Sequence, residues 1–378
     1  MNFTELGVPA DLLAALARQH VTVPTAIQEA ALPILLAGQD AYLHAETGTG
    51  KTLAYLLPIF CALDDGLAAT QSVIVAPTHE LAIQIQRQCC DLAQNAGRPV
   101  RTLLLIGGTA LDRQLDKLKK KPHLVVGSPG RIRELMEMGK LKVQHLKSIV
   151  IDEADRLLGI ESLSDISALV QAAPSTRQLI FASATEEAGN AATLARLAPT
   201  LTLVQTGTSA VNADIEHFYV VCEEREKSEM IRKLFHALRP PRAMVFVHRN
   251  DSATQIASKL TDQKIPVADL TATLNKLDRK RAMDDFRSGA VRVLLASDIA
   301  ARGLDIKGVT HVFNLDVPTL SKAYLHRVGR TGRAGERGTA ISLLTEAEVR
   351  LIGRYQEELG ILIERVRVRD GQVFVTKK

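Results

Sequence analysis

Short runs rich in valine, isoleucine and leucine recur along the chain at intervals of a few tens of residues. They are SVIVAP (72–77), RTLLLI (101–106), HLVVGS (123–128), SIVID (148–152) and QLIFAS (178–183). A strand that is apolar on nearly every position has no face to offer water, so both faces must be covered. That is the requirement of a parallel sheet flanked by helices. The segments between the runs are amphipathic, as in residues 80–93. Strand and helix alternating in this way predict an α/β architecture.

The rhythm stops at QTGTSAVNAD (205–214) and then resumes with HFYVV (217–221), AMVFVH (243–248), VRVLLAS (291–297), HVFNL (311–315) and TAISLL (339–344). The interrupting stretch is small, polar and rich in Gly, Ser and Thr, which predicts a flexible linker. The expected organisation is therefore an ATP-site domain over 1–206, a linker over 207–214 and a second domain over 215–378, ending soon after the strand-like ILIERVRV (361–368). A length of 378 residues suits two domains of ordinary size.

Composition excludes several classes. Hydrophobic residues at 46% and charged residues at 24% fit a globular chain and rule out a disordered one. Tryptophan is absent and aromatics make up 4%, so the cores must be aliphatic. The longest strongly apolar stretch, 53–63, contains Pro58 and falls far short of the ~20 residues a bilayer requires. No basic, then apolar, leader opens the chain, and Cys61, Cys89, Cys90 and Cys222 form no CxxC pair, so a reducing cytoplasm is expected. Cys89 and Cys90 are expected to be buried, inert thiols. Charge is uneven: residues 1–206 hold 18 basic and 20 acidic side chains, and residues 207–378 hold 29 and 22. A basic second half points towards a polyanionic partner.

Three segments carry chemistry. AETGTGKT (45–52) follows the apolar AYLH (41–44) and precedes a helical pattern. It resembles the phosphate-binding loop GxxxxGK[ST], with Ala45 where the first glycine would stand. Gly48 and Gly50 let backbone N–H groups of Thr47, Thr49 and their neighbours curl round a phosphate. Lys51 would reach the β- and γ-phosphates, and the Thr52 hydroxyl would ligate Mg2+. SIVIDEAD (148–155) delivers Asp152 and Glu153 at a strand's carboxyl end, where open α/β sheets bind ligands. Asp152 suits the metal and Glu153 suits the attacking water. HRVGRTGR (326–333) spaces Arg327, Arg330 and Arg333 by three, which predicts several guanidinium groups on one side, suited to phosphate oxygens.

With these segments stand PTAIQ (24–28), PTHELA (77–82), GG (107–108), SPGR (128–131), SAT (183–185) and SDIAARGLD (297–305). Taken in order, the set resembles the DEAD-box family of ATP-dependent RNA helicases over nearly the whole chain. The resemblance implies two RecA-like domains in tandem, with ATP and RNA bound across a cleft and one RNA strand locally displaced from another. It implies that Gln28 reads adenine, that Asp305 meets the ribose, and that Arg330 and Arg333 act on the γ-phosphate. Asp155, Ser183, Thr185 and His326 would couple nucleotide state to domain closure. RNA would lie on Thr78, His79, Gly108, Ser128 and Arg131 of the first half and on Ser297 and Gly303 of the second. Contact mainly with phosphates and 2′-hydroxyls implies weak sequence preference. A monomer acting as a minimal core is expected, with no membrane partner.

Four departures from the family pattern stand out. His20-Val21 replaces a Gly-aromatic pair whose ring stacks on adenine, His79 replaces an RNA-facing Arg, Ser128 replaces Thr, and Lys276 replaces Gln. Phe3 resembles the isolated upstream aromatic of the adenine motif and equally suits a core anchor. A DNA-directed helicase of the same superfamily and an ATP-gated RNA clamp remain open readings. A metabolic P-loop kinase leaves the arginine cluster and second domain without a role.

Overall fold

The computed structural model describes residues 1–45, 48–184, 191–206, 212, 214–248, 250–271, 276–301, 306, 308–332 and 336–376. The chain divides into two units, Met1–Gly207 and Thr208–Lys378. Most of the stretch read as a linker lies outside the described residues. Among the described residues no helix is long and apolar enough to cross a membrane.

The first unit is built on strands β1 (Ala41–His44), β2 (Ser72–Val75), β3 (Thr102–Leu105), β4 (Leu124–Gly127), β5 (Ser148–Asp152), β6 (Gln178–Ser183) and β7 (Thr202–Gln205). Their order across the sheet is β3-β4-β2-β5-β6-β1-β7, and every pairing is parallel. The apolar runs behave as expected. Ile74, Val126, Val150 and Ile180 face one helical layer, and Val73, Val125, Ile149 and Leu179 face the other, all fully buried. Phe3 joins the first of these cores and is therefore an anchor. β3 and β4 approach so closely that a Cβ on Gly127 would sit 2.3 Å from the Leu105 carbonyl oxygen. Only glycine fits there, and the next residue, Ser128, donates its N–H to that same oxygen at 2.9 Å.

His20 closes the helix Ala10–Arg18 in the left-handed conformation, at φ 59°. Its N–H and that of Val21 return to the carbonyls of Ala17 and Leu16. Glycine takes this position without cost, whereas a Cβ there costs ~1–2 kcal/mol. The departure from glycine at residue 20 therefore carries strain.

The second unit holds β8 (Ile215–Val221), β9 (Ala243–Phe246), β10 (Val267–Asp269), β11 (Val293–Ala296), β12 (His311–Asn314), β13 (Gly338–Leu344), β14 (Glu364–Arg369) and β15 (Gln372–Val375). The order is β10-β11-β9-β12-β13-β8-β14-β15, parallel except for the β14–β15 hairpin. The hairpin turns on Asp370 and Gly371, both at positive φ, with Arg369 paired to Gln372. This is the two-residue turn whose twist matches the strands it joins. Cys89 is buried and its thiol is pushed far up by desolvation. Cys90 is exposed, contrary to expectation, because it lies on the outer side of the helix His79–Ala96, with its sulfur 2.9 Å from Thr102 Oγ1.

Candidate functional site

A parallel sheet sends all its carboxyl ends to one edge, so residues far apart in the chain meet there. In the first unit Asp152 and Ser183 end β5 and β6, and the phosphate-loop segment follows β1, on adjacent strands. The loops after β3, β4 and β2 carry Gly108, Ser128 and Thr78 on the other half of the same edge. Strand order thus separates the nucleotide candidates from the RNA candidates.

On the first half, the helix Lys51–Ala62 starts from Gly50 at φ 94°, with Gly48 at φ 89°. The Lys51 ammonium reaches back over the loop to the Ala45 carbonyl oxygen. Ala45 in turn donates its N–H to the carbonyl of Ser183 at 3.2 Å, so the start of the loop is fastened to the end of β6. Gln28 is buried. Its Nε2 donates to the Gly50 carbonyl at 3.0 Å, and its Oε1 accepts the Thr25 N–H at 2.9 Å, closing a capping box on the helix Ala26–Leu36. A Cβ on Gly50 would lie 2.5 Å from Gln28 Nε2, so Gly50 answers both to backbone conformation and to this clamp.

Asp152 is buried, and desolvation pushes its carboxyl up. Three things oppose that rise: a hydrogen bond from Tyr55, the Lys51 charge and the Glu153 N–H. Tyr55 Oη donates to Asp152 Oδ2 at 2.8 Å, and Glu153 N donates to Oδ1 at 2.9 Å. Burial and the neighbouring carboxylate hold the Tyr55 hydroxyl well above its usual range, so it remains a donor. Tyr55 escaped sequence reasoning. Its signal was spacing: it lies one turn beyond Lys51 on the same helix face, and a buried tyrosine needs a partner for its hydroxyl. Glu153 adopts φ 51° ψ 52°, a left-handed conformation that costs a non-glycine residue ~1–3 kcal/mol and concentrates at functional sites. Asp155 lies two residues on, in the helix Ala154–Leu157, and its charge also acts on Asp152.

The other half is arranged as helix N-termini. Thr78 Oγ1 accepts the Leu81 N–H at 3.2 Å and caps the helix His79–Ala96. A Cβ on Gly107 would lie 3.7 Å from His79 Nε2, so the imidazole stands against the Gly107-Gly108 turn. Ser128 stands at the N-terminal cap position of the helix Pro129–Glu137 with no side-chain bond to it, and within that helix Arg131 pairs through Nε with Glu134 at 3.2 Å. Arg131 Nη1 is buried and has no hydrogen-bond partner among the described residues. A buried cationic donor left unpaired is costly unless a ligand meets it.

In the second unit, Ser297 Oγ accepts the Ala300 N–H at 3.2 Å after β11. Arg330 is buried and follows the helix Ser321–Val328, which also carries His326. Of the three arginines spaced by three, Arg327 and Arg330 are both buried and Arg333 lies outside the described residues. The helix ends at Val328, and Arg327 in its last turn points inward. It grips Asp298 with Nε and Nη2 at 2.6 and 2.8 Å. It also meets Asn314 Oδ1, the Asp316 carbonyl and His248 Nε2, and lies over the Phe246 ring. It is a hub binding the ends of β9, β11 and β12, and spacing alone could not show this. Thr47, Thr185, Gly303, Asp305 and Arg333 lie outside the described residues.

A family model described as DEAD/DEAH box helicase matches residues 25–194, and one described as helicase conserved C-terminal domain matches residues 226–335. The DEAD-box ATP-dependent RNA helicase CshC of Bacillus cereus is 38% identical over 353 residues, which are 93% of this chain and 90% of that protein. The DEAD-box ATP-dependent RNA helicase CshA of Geobacillus kaustophilus is 34% identical over 368 residues, 97% of this chain and 78% of that protein. Among solved structures, S. cerevisiae Dbp5 bound to RNA and ADP BeF3 is similar with a TM-score of 0.87 at 30% identity, covering 97% of this chain and 96% of that one.

Proposed function

The chain belongs to the DEAD-box family of ATP-dependent RNA helicases, and on that premise we propose that its first unit splits ATP on one half of a sheet edge and grips RNA on the other. The observation that carries this division is the strand order, β5-β6-β1 for nucleotide and β3-β4-β2 for RNA. The backbone N–H groups around Thr47, Gly48, Thr49 and Gly50 cradle the phosphates at the positive end of the helix Lys51–Ala62, and the Lys51 ammonium leaves the Ala45 carbonyl for phosphate oxygens. Glu153 orients the attacking water. Gln28 keeps one amide hydrogen and one oxygen lone pair for the adenine edge beyond its two bonds to the protein.

Magnesium fits the oxygen donors present. One hydroxyl, Thr52, and one carboxylate, Asp152, suit a hard cation that keeps several waters and takes phosphate oxygens. Its charge would offset the burial that otherwise favours a protonated Asp152. When bound, magnesium would neutralise charge developing on the phosphates.

RNA phosphates lie on the amide ends at Thr78, His79, Gly108 and Ser128, with Arg131 Nη1 turned to a phosphate. The second unit adds Ser297 and Gly303 for RNA, Asp305 for the ribose, and Arg330 and Arg333 for γ-phosphate charge. Arg327 serves these residues indirectly, by fixing Asp298 beside Ser297. Asp155, Ser183, Thr185 and His326 convert nucleotide state into the closure that displaces an RNA strand. The protein acts as a cytoplasmic monomer.

Two assays on the full chain test the proposal. ATP hydrolysis should rise with single-stranded RNA and not with DNA of the same sequence, and a short RNA duplex should separate when ATP is added. Hydrolysis indifferent to RNA would remove the helicase reading. RNA-stimulated hydrolysis without strand release would favour an ATP-gated clamp.

A further inference from the structure

The β14–β15 hairpin lies beyond residues 226–335, the segment matched by the family's C-terminal domain. Its two faces differ sharply. Val366, Val368 and Val373 turn inward and pack with Val220, Leu234 and Phe235. The alternate residues, Arg365, Arg367 and Arg369 of β14 and Gln372, Phe374 and Thr376 on the other strand, share the outward face. Residues two apart on a strand repeat every ~6.6–6.8 Å. The three guanidinium groups therefore form a row spaced on the scale of successive phosphates in an extended nucleic-acid strand.

Phe374 is the second observation. The chain has five Tyr and nine Phe. All are buried or half-buried except Phe374, which is 50% exposed and sits directly across from Arg367. Burying an aromatic side chain is strongly favourable, so a chain with so few has reason to bury each one. Protection of a sheet edge does not explain the pattern. Guard charges belong on the edge strand, yet here the edge strand β15 carries the exposed ring and the arginines lie on the strand inside it. Nor are the arginines neutralised by strong pairing. The Arg367 guanidinium makes no ion pair or hydrogen bond among the described residues. Arg369 meets Asp370 at 3.3 Å and Arg365 meets Glu346 at 3.8 Å, both near the surface where such pairs are weak.

We propose that this face is a second RNA contact, taking the backbone of a single strand on Arg365, Arg367 and Arg369 and one base on Phe374. A row of planar cations beside a lone exposed ring is the combination that holds single strands without sequence preference. The inference rests on the helicase reading, since RNA must already be the ligand. Its role is to tether the substrate to the second unit, raising the local concentration of RNA.

The test is RNA affinity of the full chain against salt, by fluorescence anisotropy of a labelled single strand, for the wild type, for Arg367→Gln with Arg369→Gln, and for Phe374→Ala. Each phosphate that goes unneutralised lowers the salt slope by about 0.7, so the double variant should flatten it by about 1.4. Phe374→Ala should weaken binding by ~5- to 150-fold. Both should raise the KM for RNA in ATP hydrolysis and leave kcat at saturating RNA unchanged. A thiouridine-bearing strand should crosslink to the peptide spanning 365–376 in the wild type. Equal slopes and affinities for all three proteins, with no crosslink to that peptide, would overturn the proposal while leaving the helicase reading intact. A wild type that fails to bind RNA would overturn both. Unchanged RNA binding with loss of an acidic protein partner from the variants would assign the face to protein instead.

Discussion

Removing the hydroxyl of Tyr55 tests whether the nucleotide site is held by the pair Tyr55–Asp152. The change Tyr55→Phe keeps the ring, which is fully buried, and takes away one donor 2.8 Å from a buried carboxylate. A hydrogen bond to a charged group is worth ~1.5–3 kcal/mol, and the lost donor leaves Asp152 with the Glu153 N–H as its remaining hydrogen bond among the described residues. For a unit of this size ~1 kcal/mol lowers Tm by ~2–4 °C, so the first unit's transition should fall by about 3–12 °C at neutral pH. The sign with pH follows from Asp152. Its folded-state carboxyl is raised by burial, so its ionised form is costly to the fold, and Tyr55 reduces that cost. Without Tyr55 the carboxyl rises further. The variant's deficit is then full where Asp152 is ionised and shrinks as pH falls through its raised titration range. Thermal unfolding by circular dichroism, at several pH values from neutral to acid, measures this directly. In parallel, the acid limb of ATP hydrolysis should move to higher pH if Asp152 holds the proposed magnesium, which would require the anion. An unchanged Tm at neutral pH, or a deficit that grows on acidification, would refute the reasoning.

Other residues give sharper tests of chemistry. Lys51→Ala should nearly abolish hydrolysis, whereas Glu153→Gln should retain ATP binding and slow turnover by ~10²–10³-fold; wild-type turnover in the latter removes Glu153 from the mechanism. His20→Gly relieves the left-handed strain and should stabilise the first unit by about 1 kcal/mol in denaturant unfolding, with no change if the strain is absent. His217 is buried against Tyr324 and its imidazole is pushed down to about 4, so it contributes full stability above its ordinary range near 6.5 and loses it as pH falls towards 4. That loss reaches about 3 kcal/mol at pH 4; it should vanish in His217→Gln, and parallel acid unfolding of the two proteins would refute it. Val21→Phe adds a ring where the family has one and should lower the KM for ATP by ~5- to 150-fold with little change in the ATP:GTP ratio. Gln28→Ala should erode that ratio and, through the lost bond to the Gly50 carbonyl, weaken phosphate binding as well.

Much of the fold was legible because burial on both faces leaves a plain mark in sequence. Runs such as SIVID and QLIFAS could be placed as strands with close bounds. β7 leaves no such mark, because it is an edge strand with mixed exposure and no continuous apolar run. β15 is harder to excuse, since Asp370-Gly371 between alternating apolar residues is a hairpin signal. Candidate ligand-contacting residues could be named from motif spacing. Residues whose role is to hold those residues could not be, since Tyr55 and Arg327 act through partners far away in the chain, Asp152 and Asp298. Spacing by three likewise could not separate Arg327 from Arg330, because the helix stops between them.

The place of β1 in the first sheet sets the order in which the protein becomes competent as it is made. β1 is the earliest strand in the chain, yet its two neighbours, β6 and β7, are the latest of that unit. When the ribosome has completed β5, the strands β3, β4, β2 and β5 can already pair among themselves, while Ala41–His44 has neither partner. The loop 45–50 hangs on that strand, and its fastening to the Ser183 carbonyl likewise waits for β6. At ~5–20 residues per second, the interval from residue 44 to residue 205 lasts roughly 10–30 s. Only the last part of that interval, after residue 152 and lasting roughly 3–11 s at the same rate, leaves the nascent chain with four paired strands and no fastened phosphate loop. The strand that carries the phosphate loop thus gains its first partner and its fastening only once β6 has emerged, so a product stalled before residue 183 holds that loop unanchored.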